Sequence, residues 1–363
     1  METETQYVFC GAGCVGRDAA RKLRAAGVDV PVCFADNDWR KWGTIDDVSV
    51  MGFDHAVSKY PTATFVVTCT NQVGAEIYQQ LAQMDGGHVT ALRYNELRYR
   101  FPSILCPSQE PEALEWMRNH RRDVLDPLCR SLADRESQLV FWSQVMWRDK
   151  FDPHVLPPSS SIAEMYFPSF IRRLEDNASG EVFLDGGAYD GDTVREFLKR
   201  WKNFRFIWAC EPDPSNAEKM RPLAEELNQS RGLNSMAVLR KALTEHSGPL
   251  PFCARGTMSS SVLPSGSSFT QGIPIDQLGP RPTYIKMDIE GEELSALRGA
   301  AHTIENIRPA LAICAYHRAE DLWTIPQFMF EHCKDYRVFL RHYGEEEDID
   351  IIYYAVPEER FVA

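Results

Sequence analysis

The sequence predicts an α/β protein with two Rossmann-like units, a small one at the N-terminus and a larger, mostly parallel seven-stranded one in the C-terminal half. Three observations carry this prediction. Short apolar strand runs alternate with helical runs over residues 7–98 and again from Val182 onward, the pattern of βαβ units. In each half a strand runs straight into a glycine-rich turn, Gly11–Gly16 in the first and Gly186–Gly191 in the second. Between the halves, from Tyr99 to Asn177, the strand signal disappears. A chain of 363 residues is long for one core, and the expected division is 1–98, 99–178 and 179–363.

In the first unit Tyr7–Cys10 reads as a strand, followed by the glycine turn and a helix through Ala26, which Gly27 ends in the usual glycine position. Val30–Ala35 and Thr64–Cys69 read as further strands, and Gly74–Met84 as a helix. The middle region carries helical runs at Glu112–Arg122, Val124–Arg135 and Ser137–Arg148, then breaks at Pro153, Pro157 and Pro158. It reads as a helical connector, with a lid and a dimer surface as its two open roles.

In the last unit strands fit at 182–185, 205–210, 236–240, 284–288 and 310–316, and helices at 192–202, 214–228, 292–301 and 321–333. Two β-rich runs, Arg337–His342 and Ile349–Val356, separated by Gly344 and an acidic turn, close the chain. Parallel strands finished by a late hairpin form the architecture of class I methyltransferases, and the last antiparallel strand separates it from a plain dinucleotide fold. The Gly/Ser-rich run 256–272 reads as an irregular loop inside this unit.

Composition narrows the function classes. A net charge of −13 argues against nucleic acid as the main partner, since phosphate binding needs a basic surface. The basic run Arg118–Arg122 reads as a solvated helix face. No apolar run is long enough for a spanning helix, and the polar, acidic start Met1–Gln6 does not fit a targeting signal. A cytoplasmic location is the expectation. The ten cysteines include no CxxC pair, and Cys69, Cys210 and Cys314 sit in apolar runs, so they read as reduced core residues.

Four motifs in the C-terminal half carry chemistry. The first is the strand and turn Val182 to Thr193, containing Asp185, Gly186, Gly187 and Asp190. Glycines there let a ligand approach the backbone, but the aspartates would repel a pyrophosphate and no P-loop lysine follows. Acids suit a cationic ligand, and S-adenosylmethionine carries a cationic amino group and a sulfonium. The second is Cys210-Glu211-Pro212-Asp213, where an acid at the tip of the second strand is placed to accept both hydroxyls of a ribose. Asp213 there is also the natural N-cap of the next helix. The third is Tyr284 to Glu293. Strand periodicity puts Lys286 and Asp288 on one face near the carboxyl edge, as a functional pair or as an ion pair that tidies the strand end. The fourth is Ala315-Tyr316-His317-Arg318, whose histidine, at its ordinary pKa, suits a general base.

Together FLDGGAYDGDT, CEPDP, IKMDIEGEELSALRGA and AYHRAEDLWTIP resemble the FkbM family of S-adenosylmethionine-dependent methyltransferases, over roughly 181–363 and with the motifs in order. The resemblance implies a class I methyltransferase fold and, usually, O-methylation of a hydroxyl on a sugar, glycan or secondary metabolite. It implies Asp185, Gly187 and Asp190 at the methionine part of the cofactor and Glu211 at the ribose. Gly186, Thr193, Asp213 and Asp288 join them as cofactor contacts. Asp288, Glu290 and His317 would face the reaction centre. The reading favoured from the residues themselves is His317 as base, with Asp288 and Lys286 positioning the acceptor and no metal; a divalent metal held by Asp288, Glu290 and His317 is the alternative. Ser259–Ser261 resemble a serine cluster of the family. The expected partners are a small-molecule or glycan acceptor and, as one option, a second copy of the chain.

The first unit supports a rival. Gly11, Gly13 and Gly16 complete G-x-G-x-x-G between a strand and a helix, and Asp36 follows about twenty residues on, the context of a dinucleotide site. An NAD-dependent oxidoreductase or epimerase of nucleotide sugars is the alternative function, and a non-catalytic scaffold a third. Against the redox reading, some ninety residues amount to only half a dinucleotide fold, and the region has no Tyr-x-x-x-Lys.

Overall fold

A computed structural model describes residues 5–28, 30–69, 71–84, 88–105, 111–150, 159–174, 180–231, 234–253, 261–262, 268–344 and 350–363. The chain forms two compact units, 1–109 and 110–363. Residues 99–178 fall on both sides of that division. Pro153, Pro157, Pro158, Ser259 and Ser260 lie outside the described residues.

The first unit is built on six strands: β1 (Tyr7–Cys10), β2 (Cys33–Ala35), β3 (Gly43–Ile45), β4 (Val48–Met51), β5 (Thr64–Val67) and β6 (Thr90–Arg93), in the spatial order β3-β4-β2-β1-β5-β6. Only β3 runs antiparallel to its neighbour. The five parallel strands, taken in chain order, lie 3-2-1-4-5, so the unit is more than the half fold its length suggests. Strands β3, β4 and β6 escape the sequence because β3 and β6 are largely unburied and the apolar run of β4 is broken by the exposed Ser49.

The second unit holds a seven-stranded sheet. Its strands are β7 (Glu181–Gly186), β8 (Phe204–Cys210), β9 (Met236–Leu239), β14 (Tyr284–Met287), β15 (Ala310–Cys314), β16 (Tyr336–His342) and β17 (Ile351–Pro357), in the order β16-β17-β15-β14-β7-β8-β9. Between β9 and β14 the chain adds β10 (Ala242–Leu243), β11 (Gly248–Cys253), β12 (Ser261–Val262) and β13 (Ser268–Ile273) as a separate four-stranded sheet. The run 256–272, expected as loop, thus contains β12 and part of β13; Ser268 to Phe269 pair with Phe252 and Pro251 of β11. Pairing across the small sheet overrides the loop-like local composition. In the large sheet β17 alone pairs antiparallel, with β15 and β16 on either side. The five parallel strands again lie 3-2-1-4-5, and the reversed strand β17, second from the edge, gives the class I methyltransferase fold.

Packing fixes the sheet edge. The helix Asp192–Arg200 buries Val194 and Phe197, and Phe197 stacks on Phe183 of β7 with centroids 4.5 Å apart. Burying such side chains contributes about 1.5–3 kcal/mol each, which anchors the helix start against the turn. The predicted helix 292–301 is instead two, Glu293–Arg298 and Ala301–Ile307, parted at Gly299, whose Cα lies against the backbone of Thr244. Helices of 111–150 pack on the same core: Trp116 stacks on Trp323 at 4.9 Å, and Arg341 of β16 pairs with Asp134 at 2.6 Å. Cys210 and Cys314 are buried free thiols within β8 and β15, while Cys69 lies just beyond β5. Among the described residues no helix is long and apolar enough to cross a membrane.

Candidate active site

The order of the large sheet reverses between β7 and β14, and ligands of open α/β sheets bind at the carboxyl ends of strands flanking such a reversal. Four sequence motifs end there. β7 delivers Asp185, fully buried, into a turn where Gly187 has φ +71° and Gly191 φ +87°. A Cβ on Gly187 would stand 1.8 Å from the Asp288 carbonyl oxygen, so the turns after β7 and β14 touch and only glycine fits. Gly186 is equally enclosed, by Leu243 and the backbone of Lys286.

Lys286 is buried under this turn. Its ammonium donates to the carbonyls of Gly186 and Gly187 at 3.1 and 3.0 Å and lies 3.0 Å from Asp185 Oδ1. Burial favours the neutral amine, yet the Asp185 and Asp288 charges hold it above its ordinary range. Burial pushes the Asp185 carboxyl up to about 7, against the pull of that ammonium. Among the described residues neither Asp185 oxygen has a hydrogen bond of good geometry. A buried carboxylate left so is costly, and a ligand donor would satisfy it.

Glu211, at the tip of β8, accepts the Tyr189 N–H of the glycine turn at 3.0 Å and the Asp213 N–H at 2.8 Å. Burial raises its pKa while those two bonds lower it. Asp213 accepts from the N–H groups of Ser215 and Asn216 and caps the helix Pro214–Ser230. The structure therefore moves Asp213 from ligand contact to helix cap. Asp190 accepts the Asp192 N–H and pairs with Arg195 at 3.5 Å, and Thr193 is buried in the first helical turn. Neither is drawn to the Lys286 side of the turn by any bond among the described residues.

Asp288 is the centre of the constellation. It accepts the Tyr166 hydroxyl at 2.9 Å, the Tyr316 hydroxyl at 3.0 Å and His317 Nε2 at 3.3 Å. Burial opposes its charge, but His317, Lys286 and Tyr166 together hold its pKa below the usual carboxylate range. On its other side His317 Nδ1 lies 2.9 Å from Glu293, a fully buried carboxylate. Glu293 also accepts the N–H groups of Ile289 and Gly291, fixing a turn in which Glu290 and Gly291 both have positive φ. Burial favours a neutral ring, but the two carboxylates hold His317 protonated, its pKa well above the ordinary value. Both ring nitrogens face carboxylate oxygens, an arrangement in which His317 donates hydrogen bonds to Asp288 and Glu293. Glu293 is the glutamate bonded to the histidine ring. Asp288, Glu293 and His317 present ligand atoms within 4.8 Å of one another, close enough to hold a metal ion.

Residues 185–346 match the family described as Methyltransferase FkbM domain. The chain carries an FkbM methyltransferase domain. Hexuronic acid methyltransferase AglP of Haloferax volcanii is 29% identical over 135 residues, a match covering 34% of this chain and 53% of that protein. The chain thus spans about half the length of that relative. Methyltransferase FkbM from Methylobacillus flagellatus shares the fold, with a TM-score of 0.74 at 21% identity over 96% of this chain and 90% of that one.

The FkbM domain brings Asp185, Gly186, Gly187, Lys286, Asp288 and His317 to one edge, with Glu211 bonded to the same turn. Sequence reasoning missed Glu293 and Tyr166. The Glu-Gly-Glu-Glu run offered four-residue ambiguity over which glutamate turns inward. Tyr166 lies outside every motif and reaches Asp288 across 122 positions, with φ +64° at its own backbone.

Proposed function

We propose that the FkbM domain transfers a methyl group from S-adenosylmethionine to a hydroxyl of a sugar-type acceptor. The observation that carries the cofactor reading is Asp185, a buried carboxylate without a well-formed hydrogen bond, beside a glycine turn and among acids. This donor set fits a cationic ligand and not a phosphate. Asp185 and the turn Gly186–Gly187 would hold the amino-acid end, and Glu211 the ribose hydroxyls. When bound, the cofactor supplies an electrophilic methyl on sulfur.

The chain's part is alignment, because an in-line displacement gains most from fixed geometry. A carboxylate offers about four acceptor positions, and three donors fill three of them on Asp288. The remaining position on Oδ2 receives the acceptor hydroxyl and orients its oxygen. The His317 imidazolium, clamped by Glu293, keeps Asp288 from rotating. The depressed pKa of Asp288 suits it to hold the hydroxyl as an acceptor, and the proton of the oxonium formed on methyl transfer leaves to water. The sugar acceptor draws support from AglP, which its name describes as a hexuronic acid methyltransferase.

Calorimetric titration of the whole chain with S-adenosylhomocysteine, and transfer of labelled methyl to uronic acid glycosides, test this reading. Glu211→Ala removes a charged acceptor, each such bond contributing about 1.5–3 kcal/mol, so affinity should fall about tenfold or more. Unchanged affinity in Glu211→Ala removes the ribose assignment. Absence of any binding to the unaltered chain removes the proposal.

A further inference from the structure

The first unit has its own cleft at its own strand-order reversal, between the carboxyl ends of β1 and β5. It encloses about 340 Å³, with Gly11, Asp36, Asn37, Lys41, Cys69 and Gln80 among its walls. The FkbM domain match does not reach it.

The three glycines of its turn differ in what surrounds them. Gly11 has φ +111° and lies against Cys69, so it makes the tight turn. Gly16 abuts the Gly11 carbonyl and Thr68, where an added Cβ would stand 2.4 Å from oxygen, so it lets helix and strand pack closely. Gly13 has an ordinary φ of −84°, and an added Cβ would meet nothing within 4 Å. Neither strain nor packing requires glycine there; an open approach to the backbone does. The helix Cys14–Ala25 that follows has no side-chain cap and no acid in its first turn. Across the cleft Asp36 accepts the Ala12 N–H at 2.9 Å and the Asp38 N–H at 2.8 Å, and pairs with Lys41 at 2.9 Å. An acid at the second strand tip beside an open glycine turn is the arrangement that takes a ribose and the phosphates next to it.

We propose that this cleft is a second ligand site, which takes a nucleoside diphosphate moiety. The phosphates lie over Gly13 and the helix start, and Asp36 faces the ribose. Asp36 Oδ1 carries one bond and has an acceptor position left for a hydroxyl. The moiety belongs either to a dinucleotide or to a sugar nucleotide, and both present the same ribose and pyrophosphate.

The test uses the full chain, with NAD, UDP-glucose, ADP and UDP as probes in titration calorimetry and thermal unfolding. At least one diphosphate probe should bind saturably and raise the melting temperature by linkage. NAD alone assigns the site to a dinucleotide, and UDP-glucose alone to a sugar nucleotide. Gly13→Asp is the decisive variant. Gly13 already has N-cap geometry, so an aspartate caps the helix and keeps the apo melting temperature at or above the original. Its charge stands where the phosphates approach and should weaken probe binding about tenfold or more. Failure of every probe to bind the unaltered chain overturns the proposal, as does equal binding by Gly13→Asp. S-adenosylhomocysteine binding in the second unit should be the same in both proteins, which separates this test from that of the active site.

Discussion

The two glycine turns of this chain are built on one plan. In each, an acid at the tip of the second strand accepts an N–H of the turn with one oxygen and the N–H two residues further on with the other. Asp36 does so with Ala12 and Asp38, and Glu211 with Tyr189 and Asp213. In each, the parallel strands lie 3-2-1-4-5. What differs is the strand across the reversal. β5 is followed by Thr68 and Cys69, whose side chains bond to the carbonyls of Cys10 and Gly11. β14 carries Lys286 and is followed by Asp288, which gathers Tyr166, Tyr316 and His317. In the two proposals made above, the shared plan serves a ribose and the charged strand across from it serves the reaction.

That contrast is broken most directly at Asp288. Asp288→Asn keeps the shape and removes the charge that orients the hydroxyl. Methyl transfer should fall about a hundredfold to a thousandfold, with S-adenosylhomocysteine affinity close to that of the unaltered protein. Single-turnover transfer of labelled methyl measures the first and calorimetry the second. If Asp288→Asn turns over at the normal rate, the reaction does not depend on this strand tip and the contrast loses its functional meaning.

A pair of matched substitutions sharpens the comparison at the level of stability. Gly187→Ala puts a methyl 1.8 Å from a backbone oxygen at a residue with φ +71°. The left-handed backbone alone costs roughly 1–2 kcal/mol, and the clash adds to it, so about 2–4 kcal/mol should be lost. Gly13→Ala meets open space at an ordinary φ and should stay within about 0.5 kcal/mol. Denaturant unfolding of the two variants reads the difference. Equal losses would mean that the two turns are constrained alike.

Legibility in the sequence follows the same line. The strands of the large sheet are apolar throughout and flanked by turn residues, so β7, β8, β14 and β15 are readable to within a residue or two from periodicity and composition. Glu211 and Lys286 could be placed because strand ends and alternation fix where such side chains point. The small sheet of β10 to β13 could not, because its two- and six-residue strands include Gly248, Pro249 and Pro251 and gain their order from pairing. The role of His317 could not be read either. Its ring charge depends on Glu293 and Asp288, which flank one turn whose Glu290 and Gly291 have positive φ, and no local pattern reports a carboxylate on each side of a ring. The same holds for Asp213, where two readings of one residue were open until the helix cap was seen.

The smallest expected effect is also the most specific to Asp185. Its carboxyl pKa, ordinarily 3.8, is pushed up to about 7 by burial. Over that window the unfolded chain has already released the proton and the folded chain still holds it. Stability from this group is therefore full below the unfolded value and declines as pH rises through the window. A bound ammonium reverses the balance, because it pairs only with the ionised carboxylate, so binding expels the proton. Affinity for S-adenosylhomocysteine should rise several-fold between about pH 6 and pH 7.5 and then level off. Titrations in two buffers of different ionisation enthalpy should register proton release at the lower pH, and Asp185→Asn should bind more weakly with a flat pH profile. Asp36, in the first unit, pairs with Lys41 near the surface and not with a buried ammonium. Nucleotide binding there should lack this rise, and a matching rise at both sites would trace the pH dependence to the ligands instead of to Asp185.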